Sequence, residues 1–251
     1  MVIWAKPVFD FFYRSQCTRC RQFWQYLSAL KNKLLCVNDL LITDMTKLIR
    51  MPERASFDRK SAYEIIDDTP MCHVSYLING EPYITPTLQW RFGDDFYWHG
   101  SSASRFLRSI VDSPVAINVM ILDGLVLARS GMHHSANYRS VTLFGKARKI
   151  DEEEKEIQLE RFVTDLLPGR WDSLRKINSQ EVKATTVFTI PIEEASVKVR
   201  TGGPQDDDED YQLPIWAGVL PIKQVTGSPI PDERNLPGVE IPDHVLDYKL
   251  S

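Results

Sequence analysis

Cysteine is scarce in this chain of 251 residues. The four present, Cys17, Cys20, Cys36 and Cys72, are too few and too clustered for a disulfide-stapled scaffold, which points to a reducing compartment. Cys17-x-x-Cys20 has neither a second pair nor histidines at matching spacing, so no zinc ribbon or thioredoxin-type motif is expected. No run reaches the roughly 18 uninterrupted apolar residues that would suggest a membrane span. The longest central run, 115–122, is broken by Asn118 and reads as a buried strand. Positive charge is not in excess either: 30 Lys and Arg face 34 Asp and Glu, a net charge of −4, which removes any general attraction to nucleic acid. No Gly-x-Gly-x-x-Gly follows a strand pattern, so a Rossmann dinucleotide site is disfavoured, and no internal repeat is visible. What remains is an ordinary globular composition, 43% hydrophobic and 25% charged, able to bury a substantial core.

Composition divides the chain into three. Residues 1–43 form an N-terminal extension rich in aromatics, with Lys6, Arg14, Arg19, Arg21, Lys31 and Lys33 against the single acid Asp10 before Val37. Phe23, Leu27, Leu30 and Leu34 fall at helical spacing, which predicts a peripheral helix or a poorly ordered segment. The expected location is cytoplasmic, or mitochondrial if this basic stretch is a targeting signal. Residues 44–226 carry the main domain, and 227–251 a proline-rich tail that should run extended over its surface.

Within the main domain, 56–68 reads as a helix with Ser56 as N-cap. Two strand patterns, 72–78 and 83–90, flank Asn79-Gly80, a strong hairpin cue. Gly93-Asp94-Asp95 turns the chain into 96–99, and a short helix follows over 102–111. Strands are expected at 115–122, 125–129, 138–149, 185–191 and 215–222, with an acid-started helix at 151–167. The five consecutive acids 206–210 read as a solvated loop. Many short strands joined by turns, with few helices, indicate a mainly β fold with flanking helices (β+α), a closed or partly closed barrel.

The chemistry-bearing residues concentrate between 98 and 148. His99-Gly100-Ser101-Ser102-Ala103-Ser104-Arg105 ends a strand, turns at glycine and enters a helix that Ser101 or Ser102 can cap. Free N–H groups, three hydroxyls and the planar fork of Arg105 suit a phosphate. His133 and His134 lead into a strand whose Arg139 and Ser140 point to opposite faces, so at most one faces a given pocket. No His-x-x-x-His or Glu-x-x-His accompanies the histidine pair, so no metal site is expected. Trp216 is either core packing or an aromatic wall beside a flat ring. His99, His133 and His134 are the candidates for acid–base chemistry, with none singled out.

These pieces, together with Pro52-Glu53-Arg54-Ala55, Gly80-Glu81-Pro82-Tyr83-Ile84-Thr85-Pro86-Thr87, Asp123-Gly124-Leu125-Val126-Leu127-Ala128-Arg129-Ser130, Pro168-Gly169-Arg170-Trp171 and Trp216-Ala217-Gly218-Val219, resemble the pyridoxamine 5′-phosphate oxidase-like flavin-nucleotide-binding proteins. The likeness runs from about Arg50 to the C-terminus and is nearest to the nitroimidazole-resistance-related branch. It implies a split β-barrel that dimerises and binds FMN in a cleft at the subunit interface. By that resemblance Thr85, Pro86, Thr87 and Leu88 line the isoalloxazine, Trp98 and His99 follow them, and Ser104 and Arg105 hold the phosphate, to which the Ser101 hydroxyl of the same turn is added as a candidate donor. Arg139 and Ser140 match the strand that reaches the flavin, and Trp216 the aromatic near its ring.

The expectation is a flavin-dependent oxidoreductase acting on a small-molecule substrate as a homodimer, with no nucleic-acid or membrane partner. A non-catalytic flavin-storing or sensing protein, or a split barrel that binds haem through a histidine such as His134, are the alternatives. The Arg-x-His pair that grips pyridoxal phosphate in the true oxidases is missing from Pro231-Asp232-Glu233-Arg234-Asn235-Leu236, so the resemblance does not extend to vitamin B6 oxidation. Nor does a histidine stand near Arg105, as it often does in the nitroimidazole-resistance proteins.

Overall fold

A computed structural model describes residues 39–41, 43, 46–47, 55–56 and 58–250. The helical pattern at 23–35 and the Pro52-Glu53-Arg54 block lie outside them. From Leu40 onward the chain is one compact unit.

Among the described residues ten strands make one antiparallel sheet. In chain order they are β1 (Ala55–Ser56), β2 (Met71–Ile78), β3 (Glu81–Phe92), β4 (Asp95–Ser101), β5 (Pro114–Leu127), β6 (Ser135–Lys146), β7 (Arg148–Lys149), β8 (Thr185–Pro191), β9 (Glu194–Arg200) and β10 (Gly218–Pro221). Their order across the sheet is β1-β9-β6-β5-β2-β3-β4-β8-β7, with β10 beside β5. The sheet curls until β8 returns to β6 at Gly145, where a Cβ would stand 3.4 Å from the Ile190 side chain. The result is a split barrel, mainly β, with helices on its flanks.

Alternation builds two cores. Cys72, Val74 and Tyr76 of β2 face inward to meet Phe96 and Trp98 of β4, Ile117 and Val119 of β5, and Phe188 and Ile190 of β8. Each fully buried side chain of this kind is worth on the order of 1.5–3 kcal/mol. The opposite face of β3 and β4 presents Trp90 and Tyr97 to Phe162 of α3 (Glu152–Leu166).

The hairpin cue at Asn79-Gly80 holds because both residues take positive φ, 54° and 84°, as a type I′ turn requires. The first helix, α1 (Arg59–Asp67), starts later than its pattern suggests. Asp58 caps it by accepting from the Lys60 and Ser61 amides, while Ser56 is a strand residue paired with Val197. The second, α2 (Arg105–Ser109), is one turn long, and its N-cap is Ser104 rather than Ser101 or Ser102. The two strands expected at 115–122 and 125–129 are one strand, β5, whose register slips between Leu122 and Gly124. Beyond the slip β10 takes the place that β2 held. The pattern at 138–149, by contrast, is two strands, because β7 leaves β6 to pair with β8. Strand β9 and helix α4 (Ser179–Ala184), which carries an Asn178–Glu181 capping box, were not expected. The tail runs exposed and adds one short helix, α5 (Asp243–Leu246). Among the described residues no helix is long and apolar enough to cross a membrane.

Candidate functional site

The turn between β4 and α2 is tied down by its own backbone. Ser102 N–H donates to Ala184 O at 2.7 Å, and Ser104 N–H to Ser101 O at 2.9 Å. Ser101 Oγ accepts from the Ala103 amide at 3.2 Å. The Ser104 side chain makes no capping bond, so its hydroxyl stays available. Arg105 is exposed and makes no ion pair or side-chain hydrogen bond among the described residues. A five-residue helix has little dipole to offer, so the positive charge here is that of Arg105, with Arg108 exposed one turn on.

Side chains on the barrel wall join this turn to β3. Phe106 packs on Tyr76 with ring centroids 4.5 Å apart, and Tyr76 stacks on Tyr83 at 5.7 Å. The Tyr76 hydroxyl lies 3.0 Å from Thr85 Oγ1. Thr87 Oγ1 donates to His99 O at 3.2 Å. Thr85, Thr87, Ser101, Ser104 and Arg105 therefore share one neighbourhood, with Tyr76 and Phe106 as the link that sequence reading missed. Only the alternation of β2, which sets Tyr76 in line with Cys72 and Val74, could have signalled it.

Strand geometry separates the other candidates. Pro86 and Leu88 lie on the opposite face of β3 from the two threonines; Pro86 stands across from His73, and Leu88 packs against the α3 core. Trp98 is 0% exposed inside the barrel, stacked on Phe188 at 5.5 Å. His99 points the other way, 4.5 Å from the Phe162 ring, and burial lowers its pKa.

The Arg139 guanidinium is held by Asp123, with Nε to Oδ2 and Nη2 to Oδ1 both 3.1 Å, and by Asp68. Its charge is thus spent on two carboxylates that link α1 to β5. Ser140 is on the outer face, between Met120 and Lys198. Trp216 is not a core residue: it is 70% exposed, with its ring 3.0 Å from where a Gly218 Cβ would be.

The acidic run is not simply solvated. The Asp206 side chain is 0% exposed and accepts from Arg129 N–H at 2.9 Å and Arg129 Nη1 at 3.0 Å. Among the described residues His133, Asp206 and Asp210 place ligand atoms within 4.8 Å of one another, but the Arg129 guanidinium on Asp206 opposes a cation there. His134 Nδ1 lies 2.9 Å from Ser130 O, an atom that can only accept, so the ring carries its proton on Nδ1 and leaves Nε2 as an acceptor. His73, which sequence reading passed over, projects from the outer face of β2 between Pro86 and Asn118.

The comparisons agree with this architecture. The flavocytochrome Anf3 of Azotobacter vinelandii is 45% identical over 83% of this chain and 98% of its own, with a TM-score of 0.80. The FAD and haem binding protein of Mycobacterium smegmatis is 33% identical over 77% of this chain and 96% of its own, with a TM-score of 0.75. No curated protein matches the chain. The profile of the pyridoxamine 5′-phosphate oxidase family matches residues 58–199, and the chain belongs to that family of flavin-binding split barrels.

Proposed function

We propose that the protein is a flavin-dependent oxidoreductase that acts on a small molecule as a homodimer and holds its flavin phosphate at Ser101, Ser104 and Arg105. The observation that carries this reading is the 45% identity to a flavocytochrome, over 83% of this chain and 98% of that one. Arg105, exposed and without a counter-charge among the described residues, fits a phosphate; so does the uncapped Ser104 hydroxyl. One arginine and two serines suit the monophosphate of FMN. FAD, named for the Mycobacterium smegmatis relative, has a second phosphate that would find Arg108 on the next turn. A bound flavin supplies the hydride and single-electron chemistry, while the protein binds it, orients it and excludes water.

A second subunit is supported by what the sheet leaves uncovered. Met71, Leu77, Ile84 and Met120 lie exposed on one face of β2, β3 and β5, and Trp216 is exposed as well. A monomer that leaves this much apolar surface bare calls for a partner.

The relatives' names also favour a second reading, that haem binds beside the flavin. His134 is the residue that would hold its iron, since its Nδ1–H is anchored on Ser130 O and Nε2 is left free to coordinate.

The visible spectrum of the purified protein tests both. Flavin bands are expected, a Soret band adds haem, and chromatography of the released cofactor separates FMN from FAD. Loss of the Soret band alone in His134→Ala assigns that ligand. Light scattering should give twice the chain mass, and bleaching of the flavin by NADH or NADPH would establish redox competence. A colourless, monomeric protein that takes up neither cofactor on reconstitution removes the reading.

A further inference from the structure

A cavity of about 740 Å³, within the size range of small-molecule sites, opens between the end of α1, the end of β3, the end of α3 and the last residues of the tail. None of the residues proposed to hold the flavin lines it. Four carboxylates do: Asp67, Asp68, Asp165 and Asp247. Two are already neutralised, Asp67 by Arg91 at 2.9 Å and Asp68 by Arg139. Asp165 and Asp247 make no ion pair among the described residues, and Lys249 is the one further cation on the wall. Partial desolvation, and then the nearby Asp67 charge, push the Asp165 carboxyl above its ordinary range against the opposing pull of the Arg91 and Arg161 charges.

The wall also carries buried polar atoms without partners. Gln89 is buried, and its amide is oriented by Nε2 donating to Ile66 O at 2.7 Å and Thr69 O at 2.6 Å, which leaves the acceptor Oε1 unmatched. Trp90, equally buried, has an unmatched Nε1–H. His244, seated on the backbone of Gly169, has no partner for Nε2. Gln89 Oε1 and His244 Nε2, unmatched on residues that line this cavity, call for a partner.

Acceptors dominate this set, and they select a donor-rich cation. A bare metal ion does not suit it, because His244 and these carboxylates do not bring ligand atoms together among the described residues. The occupant has to span the cavity. We propose that it is a second ligand site, for a small organic cation such as a diamine or a guanidine-bearing amine, held by Asp165, Asp247, Gln89 and His244. This proposal is independent of the flavin reading.

Agmatine, which carries an ammonium and a guanidinium, is the probe, titrated into the full chain as purified by calorimetry and thermal shift. Saturable binding and a raised Tm are expected. Neutral 1,4-butanediol and magnesium chloride should do neither. Asp165→Asn with Asp247→Asn, both on the exposed rim, should weaken agmatine by about tenfold or more while leaving the starting Tm unchanged. His244→Gln should weaken it as well, which guards against a fault in the first variant. The proposal is overturned if wild type shows no saturable binding, if magnesium or the diol matches agmatine, or if the variants bind as tightly as wild type.

Discussion

Asp206 and Arg129, 77 residues apart, form a clamp in which a single carboxylate accepts both a backbone amide and a guanidinium, at 2.9 and 3.0 Å. The Ser130 amide adds a bond at 3.4 Å, and the Arg129 guanidinium lies 4.8 Å from the centre of the Tyr211 ring. The clamp fixes the 205–212 loop to the end of β5 and steadies Ser130, whose carbonyl orients His134. Asp206→Asn leaves Arg129 without its counter-charge and should lower Tm by several degrees, whereas Asp207→Asn, one residue along and exposed, should not. Burial pushes the Asp206 carboxyl up, but the bonds from Arg129 and Ser130 outweigh it and hold the pKa below the ordinary 3.8. The clamp is therefore intact above about pH 3.8 and is lost as pH falls through the lower folded value. Acid-unfolding curves of wild type and Asp206→Asn should converge below that point. Equal Tm values for the Asp206 and Asp207 variants would dissolve the clamp.

Gly124 sits where the register of β5 slips and β10 joins it. A Cβ there would stand 2.9 Å from Leu220 O and 3.4 Å from Pro221 Cα, both backbone atoms that cannot swing aside. Gly124→Ala should destabilise the protein by about 1–3 kcal/mol, the usual cost of overpacking, read as a shift in the urea midpoint at constant m. Gly131→Ala is the control, since a Cβ there meets nothing within 4 Å. Should both variants prove neutral, β10 is not held by this contact.

These two sites show how far local chemistry carries. The Asn79-Gly80 hairpin and the span of β8 follow from neighbouring residues, because positive φ and β-branched runs are local properties. The Ser101–Arg105 turn was visible for the same reason, as hydroxyls beside one arginine. The burial of Asp206 was not, because its partner is distant in the chain and a run of five acids ordinarily stays in water. Nor was the parting of Trp98 from His99. Alternation says that they face opposite ways, but only the curl of the sheet decides which lies in the barrel and which under α3. Strand β9 was hidden by Glu194, Lys198 and Arg200, which dilute the inward series of Ala195, Val197 and Val199. Gly124 could be seen as a glycine in a strand, but not as the place where another backbone approaches.

His99 should give the stability curve a second pH-dependent limb. Its ring lies among Trp90 and Phe162, and burial pulls its pKa below the ordinary 6.5. A base whose folded pKa is depressed contributes stability that is complete above the unfolded value and declines as pH falls below about 6.5, where the unfolded chain takes up the proton first. The urea midpoint of wild type should drop between about pH 7.5 and about pH 5, and His99→Phe should flatten that part of the curve. A variant with the same slope as wild type would show that other groups titrate there.

Arg105 and Arg139 make opposite predictions, although the resemblance placed both at the flavin. Arg105 has no partner among the described residues, so Arg105→Ala should leave stability nearly unchanged and weaken flavin by about 1.5–3 kcal/mol, roughly 10- to 150-fold. Arg105→Lys should recover part of that loss, since lysine keeps the charge but not the bidentate fork. Arg139→Ala strips the counter-charge from Asp123 and Asp68 and should lower Tm first. Fluorescence titration of flavin into apoprotein, run beside thermal melts of all three variants, separates the roles. If Arg105→Ala binds flavin as wild type does while Arg139→Ala loses it without melting earlier, the phosphate belongs to β6 and not to the turn after β4.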